Sequence, residues 1–197
     1  MTDKLLIATH NAGKLVELRD LLSDVPYTLL SLSDVGIELD VEETGESLEE
    51  NAALKATTYA RLAGLPTLAD DSGLEVDALG GAPGVHSARY AGPDATDSDR
   101  ITKLIANLAV HPQPWTARFR CVIAIANPDG SIERHSGACE GVIISKPRGD
   151  NGFGYDPVFY MLEHSRTMAE LSDAEKNDVS HRGIAARKAA EALRAMA

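Results

Sequence analysis

A chain of 197 residues can bury one substantial core and defaults to a single domain. Its formal net charge of -11 opposes adhesion to a polynucleotide, which needs a basic face, and aromatics at 5% are too few for a stacking surface. Hydrophobic residues at 44% suit a globular core, yet apolar runs such as residues 121–126 fall far short of the ~20 residues that span a bilayer.

The start, Met1-Thr2-Asp3-Lys4, lacks the basic-then-apolar pattern of a secretory signal. Residues 5–8 form a short apolar strand that stops at Thr9-His10-Asn11. Beyond it Leu15, Leu18, Leu21 and Leu22 share one helical face, so the chain opens strand, polar loop, helix. A second helix is expected from near Ser47, where Ser47 and Glu50 fit a capping box. Leu48, Ala52, Ala56, Tyr59 and Ala63 follow at helical spacing, and Gly64 and Pro66 end it. Residues 67–69 read as a short strand running into Asp70-Asp71-Ser72-Gly73, and residues 80–84 as a tight glycine loop.

A third helix, capped by Thr96 or Asp97, carries Ile101, Leu104, Ile105 and Leu108 as an apolar stripe. Residues 117–126 have the apolar character of a central strand. Asn127-Pro128-Asp129-Gly130 turns the chain into a more polar partner over 131–139, followed by a strand over 142–145. A helix over 180–196 closes the sequence. Helices interleaved with strands early, and a hairpin late, predict an α/β fold: a mixed β-sheet flanked by helices. Nothing reads as a linker, so residues 1–197 are expected to form one domain in two lobes.

Five polar clusters sit where the hydrophobic pattern breaks. Thr9, His10, Asn11, Ala12, Gly13 and Lys14 follow a strand and open a helix, which aims free backbone N–H groups and a lysine at an anion. The spacing is not that of a Walker A loop, and a capped turn with a surface lysine would look the same. Glu42-Glu43-Thr44-Gly45 precedes Asn51 and Lys55, which share one helical face at i, i+4 and could serve a metal–phosphate site. Adjacent Asp70 and Asp71 at the end of a buried strand would repel each other, and a hard cation such as Mg²⁺ would relieve them. The six histidines show no zinc-binding spacing, and Cys121 and Cys139 read as small buried hydrophobes in a reducing compartment. In the loop around Phe153, Gly154, Tyr155 and Asp156, either aromatic could stack a base or simply plug the core. Lys176 and the pair His181 and Arg182 could contact phosphate and donate to a carbonyl on a ligand.

Together these are the parts of a nucleoside triphosphate site. The segments A-T-H-N-A-G-K, E-E-T-G, E-N-A-x-x-K-A, A-D-D-S-G-L, G-x-x-S-A-R-Y-A-G, G-F-G-Y-D-P and S-H-R-G, in this order over essentially the whole chain, resemble the inosine triphosphate pyrophosphatase family. The resemblance implies an elongated mixed sheet in two lobes with a central cleft, a homodimer and Mg²⁺-dependent hydrolysis of ITP, dITP and XTP to monophosphate and pyrophosphate; the lack of a signal pattern and of a bilayer-length apolar run leads to the expectation of a cytoplasmic location. It implies that residues 9–14, Ser72 and Lys176 contact substrate, and that Glu42 and Asp71 hold Mg²⁺, with Asp71 also the proton acceptor. Residues 153–156 would bind the base, His181 and Arg182 would read its edge, and Asn51 and Lys55 would support the site. His10 departs from the family, whose members often carry Gly there. Two alternatives stay open: a pyrophosphatase of other nucleotides, such as a Maf-like enzyme, and a non-catalytic nucleotide-binding regulator.

Overall fold

A computed structural model describes residues 3–196; Met1 and Thr2, part of the stretch read above for a signal, lie outside the described residues. The chain runs β1 (Asp3–Ile7), α1 (Ala12–Leu21), β2 (Tyr27–Ser31), α2 (Leu48–Ala63), β3 (Thr67–Val76), α3 (Asp97–Leu108), β4 (Trp115–Ala126), β5 (Ile132–Ile143), β6 (Phe159–Met161), β7 (Arg166–Thr167), α4 (Asp173–Val179) and α5 (His181–Met196). The strands form one open sheet in the order β2-β1-β3-β4-β5-β6-β7. β1 pairs in parallel with β2 and β3, whereas β5–β6 and β6–β7 are antiparallel, so the sheet is mixed as expected.

The helix starts follow their caps. Asn11 accepts the Lys14 N–H at the head of α1. Thr96 opens α3 with a full capping box, its hydroxyl and Asp99 satisfying each other's backbone. Ser47 caps α2, but the Glu50 carboxylate reaches the Glu46 N–H at 2.8 Å, so the expected box is closed one residue early. Among the described residues no helix is long and apolar enough to cross a membrane.

By contacts the chain divides into two compact units. The first comprises the N-terminal residues to Asp71, Cys121–Gly137 and the stretch from Arg182. Its core packs Leu5 and Ile7 of β1, Leu18 and Leu22, Leu68, Ile123 and Ile125 with the alanine face of α5. The second comprises Ser72–Arg120 and Ala138–His181, and its core gathers Leu74, Leu104, Trp115, Phe119, Tyr155 and Phe159.

Three elements differ from the sequence expectation. β3 does not stop before the aspartates but continues through Asp70-Asp71-Ser72-Gly73 to Val76. Leu74 and Val76 are fully buried and resume the alternation, and the Leu74 N–H is taken by Ser87 Oγ at 2.9 Å. β5 is one strand through Ile143 rather than two. A separate seven-residue helix, α4, precedes α5; its sequence D-A-E-K-N-D-V is too polar to show an apolar stripe, and only its Ser172 and Glu175 capping box marks it.

Gly73 lets β3 pass against the 80–90 loop, since a Cβ there would lie 2.3 Å from the Gly84 carbonyl oxygen. Gly73→Ala should therefore cost about 1–3 kcal/mol of stability, read as a lower urea midpoint at unchanged slope. An unaltered midpoint would show that the approach is not enforced.

Candidate active site

Successive residues of a strand face opposite sides of a sheet, and on β3 this separates the two aspartates. Asp70 is fully buried and faces Lys14, whose Nζ lies 3.1 Å from Oδ2, and Arg182, whose Nη2 lies 3.3 Å from the same oxygen. Burial pushes its pKa up, but Lys14, Arg182 and Lys55 outweigh burial and hold the carboxyl well below the usual range. Its other oxygen, Oδ1, has no hydrogen-bond partner among the described residues. Cys121 lies 3.8 Å from Oδ2, and burial first, then Asp70, pushes this thiol up to about 12, an inert sulfhydryl.

Asp71 meets a different set. Asn51 Nδ2 donates to Oδ2 at 3.1 Å, and Lys55 Nζ lies 3.6 Å from Oδ1. Burial raises the Asp71 pKa, Lys55 works against it, Glu43 raises it again, and the net direction is up. Lys55 is pulled down by burial, but Asp71, Asp70 and Glu43 together carry its pKa above the ordinary lysine value. The protein's own side chains thus give the two adjacent carboxylates largely separate hydrogen-bond and ion-pair partners.

α2 supplies that second set from one stripe. Asn51 also accepts the Gly45 N–H at 2.8 Å, and Lys55 donates to Glu43 Oε1 at 2.6 Å, so the helix holds the acidic loop as well as β3. Of the loop's glutamates it is Glu43 that is drawn inward, while Glu42 is exposed. Residues 9–12 border a cavity of about 520 Å³ shared with residues 31–33 and 36–38, and Lys14 turns from that loop toward Asp70. Arg182, 1% exposed, is engaged by Glu17 at 2.6 Å as well as by Asp70. The sequence pairs Asp70 with Asp71 about a cation and sets Glu43 in an acidic run, but it gives neither a role of its own and passes over Glu17. Only strand alternation could set Asp70 apart from Asp71, and nothing local distinguishes Glu43 from Glu42.

The remaining sequence candidates fall in the second unit, with Ser72 on β3 partly exposed. Asp156 and Lys176 are both buried and paired at 2.6 Å. The Asp156 carboxylate also accepts the Phe153 N–H at 3.0 Å, and Lys176 Nζ sits 4.7 Å from the Phe153 ring centroid. Gly152 and Gly154 take left-handed conformations on either side of that ring. Tyr155 is 3% exposed, and its hydroxyl donates to the Ser87 carbonyl at 2.9 Å, so it plugs the core while Phe153 stays half-buried. His181 is 4% exposed and stacks on Phe119, with centroids 4.7 Å apart and planes 12° from parallel.

A buried acid whose pKa is raised by burial, lysines beside it and a helix-capped polar loop define a class of hydrolytic or ligand-binding site in an α/β fold. The profile of the Ham1 family matches residues 5–192, and this chain belongs to that family. A dITP/XTP pyrophosphatase of Desulforamulus reducens is 50% identical over 191 residues, covering 96% of this chain and 95% of that one. One of Geobacter sulfurreducens is 51% identical over 183 residues, covering 92% of each. Among solved structures, a HAM1 protein from Coxiella burnetii superposes with a TM-score of 0.90 at 44% identity, over 97% of this chain and 98% of that one. The Staphylococcus aureus Ham1 protein does so at 0.88 and 39%, over 99% of this chain and 100% of that one.

The buried pair in the second unit makes a stability prediction. Asp156→Asn strips Lys176 of its carboxylate and should cost about 3–5 kcal/mol in chemical denaturation, and the double variant Asp156→Asn with Lys176→Met should recover much of it. Additive losses would show that the two charges do not depend on each other.

Asp71 makes a second. Its native pKa lies above the ordinary 3.8, so the stability it lends is complete below that value and is lost as pH rises through its native pKa. Asp71→Asn should therefore unfold at a higher temperature than the parent at neutral pH, with the gap narrowing as the medium is acidified. A lower melting temperature for the variant at neutral pH would contradict this.

Proposed function

We propose that this chain is a Mg²⁺-dependent pyrophosphohydrolase of aberrant purine nucleoside triphosphates, converting ITP, dITP and XTP with water to the monophosphate and pyrophosphate. The observation that carries the proposal is the setting of Asp71, a buried carboxylate with Asn51 Nδ2 at 3.1 Å and Lys55 Nζ at 3.6 Å. The names of the 44–52% identical relatives support the choice of substrate.

The donors present fit a hard dication. They are carboxylate oxygens, and the raised Asp71 pKa and the unpartnered Asp70 Oδ1 would both be relieved by positive charge. Among the described residues no group of three or more His, Cys, Asp or Glu side chains is gathered to hold a metal ion. Mg²⁺ commonly takes one or two carboxylates, with phosphate and water supplying the rest. Glu42 and Asp71 would hold it, where it would neutralise phosphate charge that repels a nucleophile.

In this reading Asp71 accepts the proton of a water that attacks the α-phosphorus, and pyrophosphate departs with the bond electrons, steadied by Lys14 and Lys55. The polar loop of residues 9–14 and the Ser72 side chain orient the phosphates. Phe153 offers its face to the purine, with Gly154, Tyr155 and Asp156 shaping the loop and Lys176 locking it. His181 and Arg182 serve the edge of the base, Arg182 exchanging one of its two carboxylate partners for the keto oxygen at position 6 of inosine and xanthosine, which accepts a hydrogen bond that the adenine amino group cannot. The homodimer implied by the family resemblance belongs to the same proposal and is checked by light scattering.

Purified protein with Mg²⁺ should release pyrophosphate, not orthophosphate, from ITP and XTP far faster than from ATP, and chelation should stop it. Asp71→Asn should lower kcat at least ~100-fold, the scale of general-base loss. Near-normal turnover in that variant, or release of orthophosphate by the parent, would overturn the assignment.

A further inference from the structure

The stripe of α2 that carries Asn51 and Lys55 has a third member one turn on, Tyr59, which is 1% exposed. Its hydroxyl donates to the Leu39 carbonyl at 2.9 Å and accepts the Val41 N–H at 3.2 Å, clamping the chain just ahead of Glu42 and Glu43. His10 Nε2, from the polar loop, lies 3.0 Å from the same Leu39 carbonyl and 3.3 Å from the Tyr59 hydroxyl. A carbonyl oxygen only accepts, so Nε2 carries the proton and His10 is held as a donor.

We propose that Tyr59 and His10 form a latch that sets the acidic loop in register with Asp71 and ties it to the loop at the head of α1. Both are positioning residues, acting through residues 39–45 and 9–14. Asn51 and Lys55 grip the far part of the acidic loop at Gly45 and Glu43, and Tyr59 grips its near part at Leu39 and Val41. Residues at i, i+4 and i+8 rise along one helix face, so the three grips space the loop along α2 as a ruler would. Glu42 is exposed, and the described side-chain bonds hold the backbone on both sides of it. Its position therefore depends on the latch rather than on contacts of its own. His10 adds what a glycine at that position could not, a side-chain donor linking the two loops. The consequence for catalysis rests on the reading of Glu42 and Asp71 as metal-holding groups, whereas the latch itself does not.

The test uses the full-length protein and two readouts. Tyr59→Phe keeps the ring and removes only the hydroxyl. It should speed amide hydrogen exchange across residues 37–45 about 10-fold in metal-free, nucleotide-free protein while leaving the peptides of β1 and α5 unchanged. In turnover the same variant should raise the Mg²⁺ concentration for half-maximal rate several-fold, with a smaller change in KM for ITP. His10→Ala should show both effects more weakly, and His10→Gln, which presents an amide donor, should recover most of the parent behaviour. Unchanged exchange over 37–45, or equal acceleration throughout the chain, would overturn the latch. Faster exchange confined to 37–45 with an unaltered Mg²⁺ requirement would overturn the link to the metal. A parent protein that hydrolyses no triphosphate would sink the proposed function but leave the exchange measurement decisive for the latch.

Discussion

The alternation of β3 is the constraint on which the rest of the site depends. Two neighbouring carboxylates buried on one side would force one of them to stay protonated. Placed on opposite sides they take different counter-charges: Lys14 and Arg182 for Asp70, Lys55 with Asn51 for Asp71. The cations about Asp70 exceed its burial cost and keep it ionised, whereas Asp71, with Glu43 close by, is biased toward its proton. One dipeptide thus yields a fixed structural charge and a titratable one, a division of roles that environment rather than residue type dictates.

Each unit holds a loop with an ion pair, part-buried in the first and buried in the second. In the first, Lys55 joins Asp71 to Glu43 and so couples strand, helix and acidic loop. In the second, Lys176 and Asp156 fix the Phe153 backbone and put a cation over its ring. Buried pairs contribute little net stability against a well-packed apolar alternative. Their value here is geometric, because a glycine-flanked loop has many conformations of similar energy until charged hydrogen bonds choose one.

What the sequence disclosed follows the range of the interactions. The caps at Ser47 and Thr96, the apolar stripe of α3 and the central strand through Cys121 are set by neighbours within one or two turns, and pattern alone finds them. In the sequence β3 reads short because Asp-Asp-Ser-Gly has the composition of a turn; Arg182, 112 residues away, and Lys14 make a strand tolerable at Asp70, as Lys55 and Asn51 do at Asp71. The site residues came from the motifs, but their divisions did not. Glu43 rather than Glu42 turns inward, Tyr155 serves the core while Phe153 stays half-buried beside Lys176, and Arg182 is committed to two acids. Each of those choices depends on a partner distant in sequence, and an irregular loop has no period from which to infer it.

The same pairings bear on how a chain with a net charge of -11 would take up the polyanionic substrate of the proposed reaction. Lys14 and Lys55 are the cations best placed for phosphate, yet both are already engaged by carboxylates, at 3.1 Å with Asp70 and at 2.6 Å with Glu43. A triphosphate approaching this arrangement meets charges that largely cancel, and by itself it would gain little and be repelled by the acids behind them. Under the proposed reaction, a dication at Asp71 would offset the negative charge around Lys55, 3.6 Å away, and favour that lysine's turning to the phosphates. Metal and nucleotide would then reinforce each other's binding through Lys55. The lysine–carboxylate pairs at Asp70 and Glu43 leave little net positive charge to draw in a polyanion by itself.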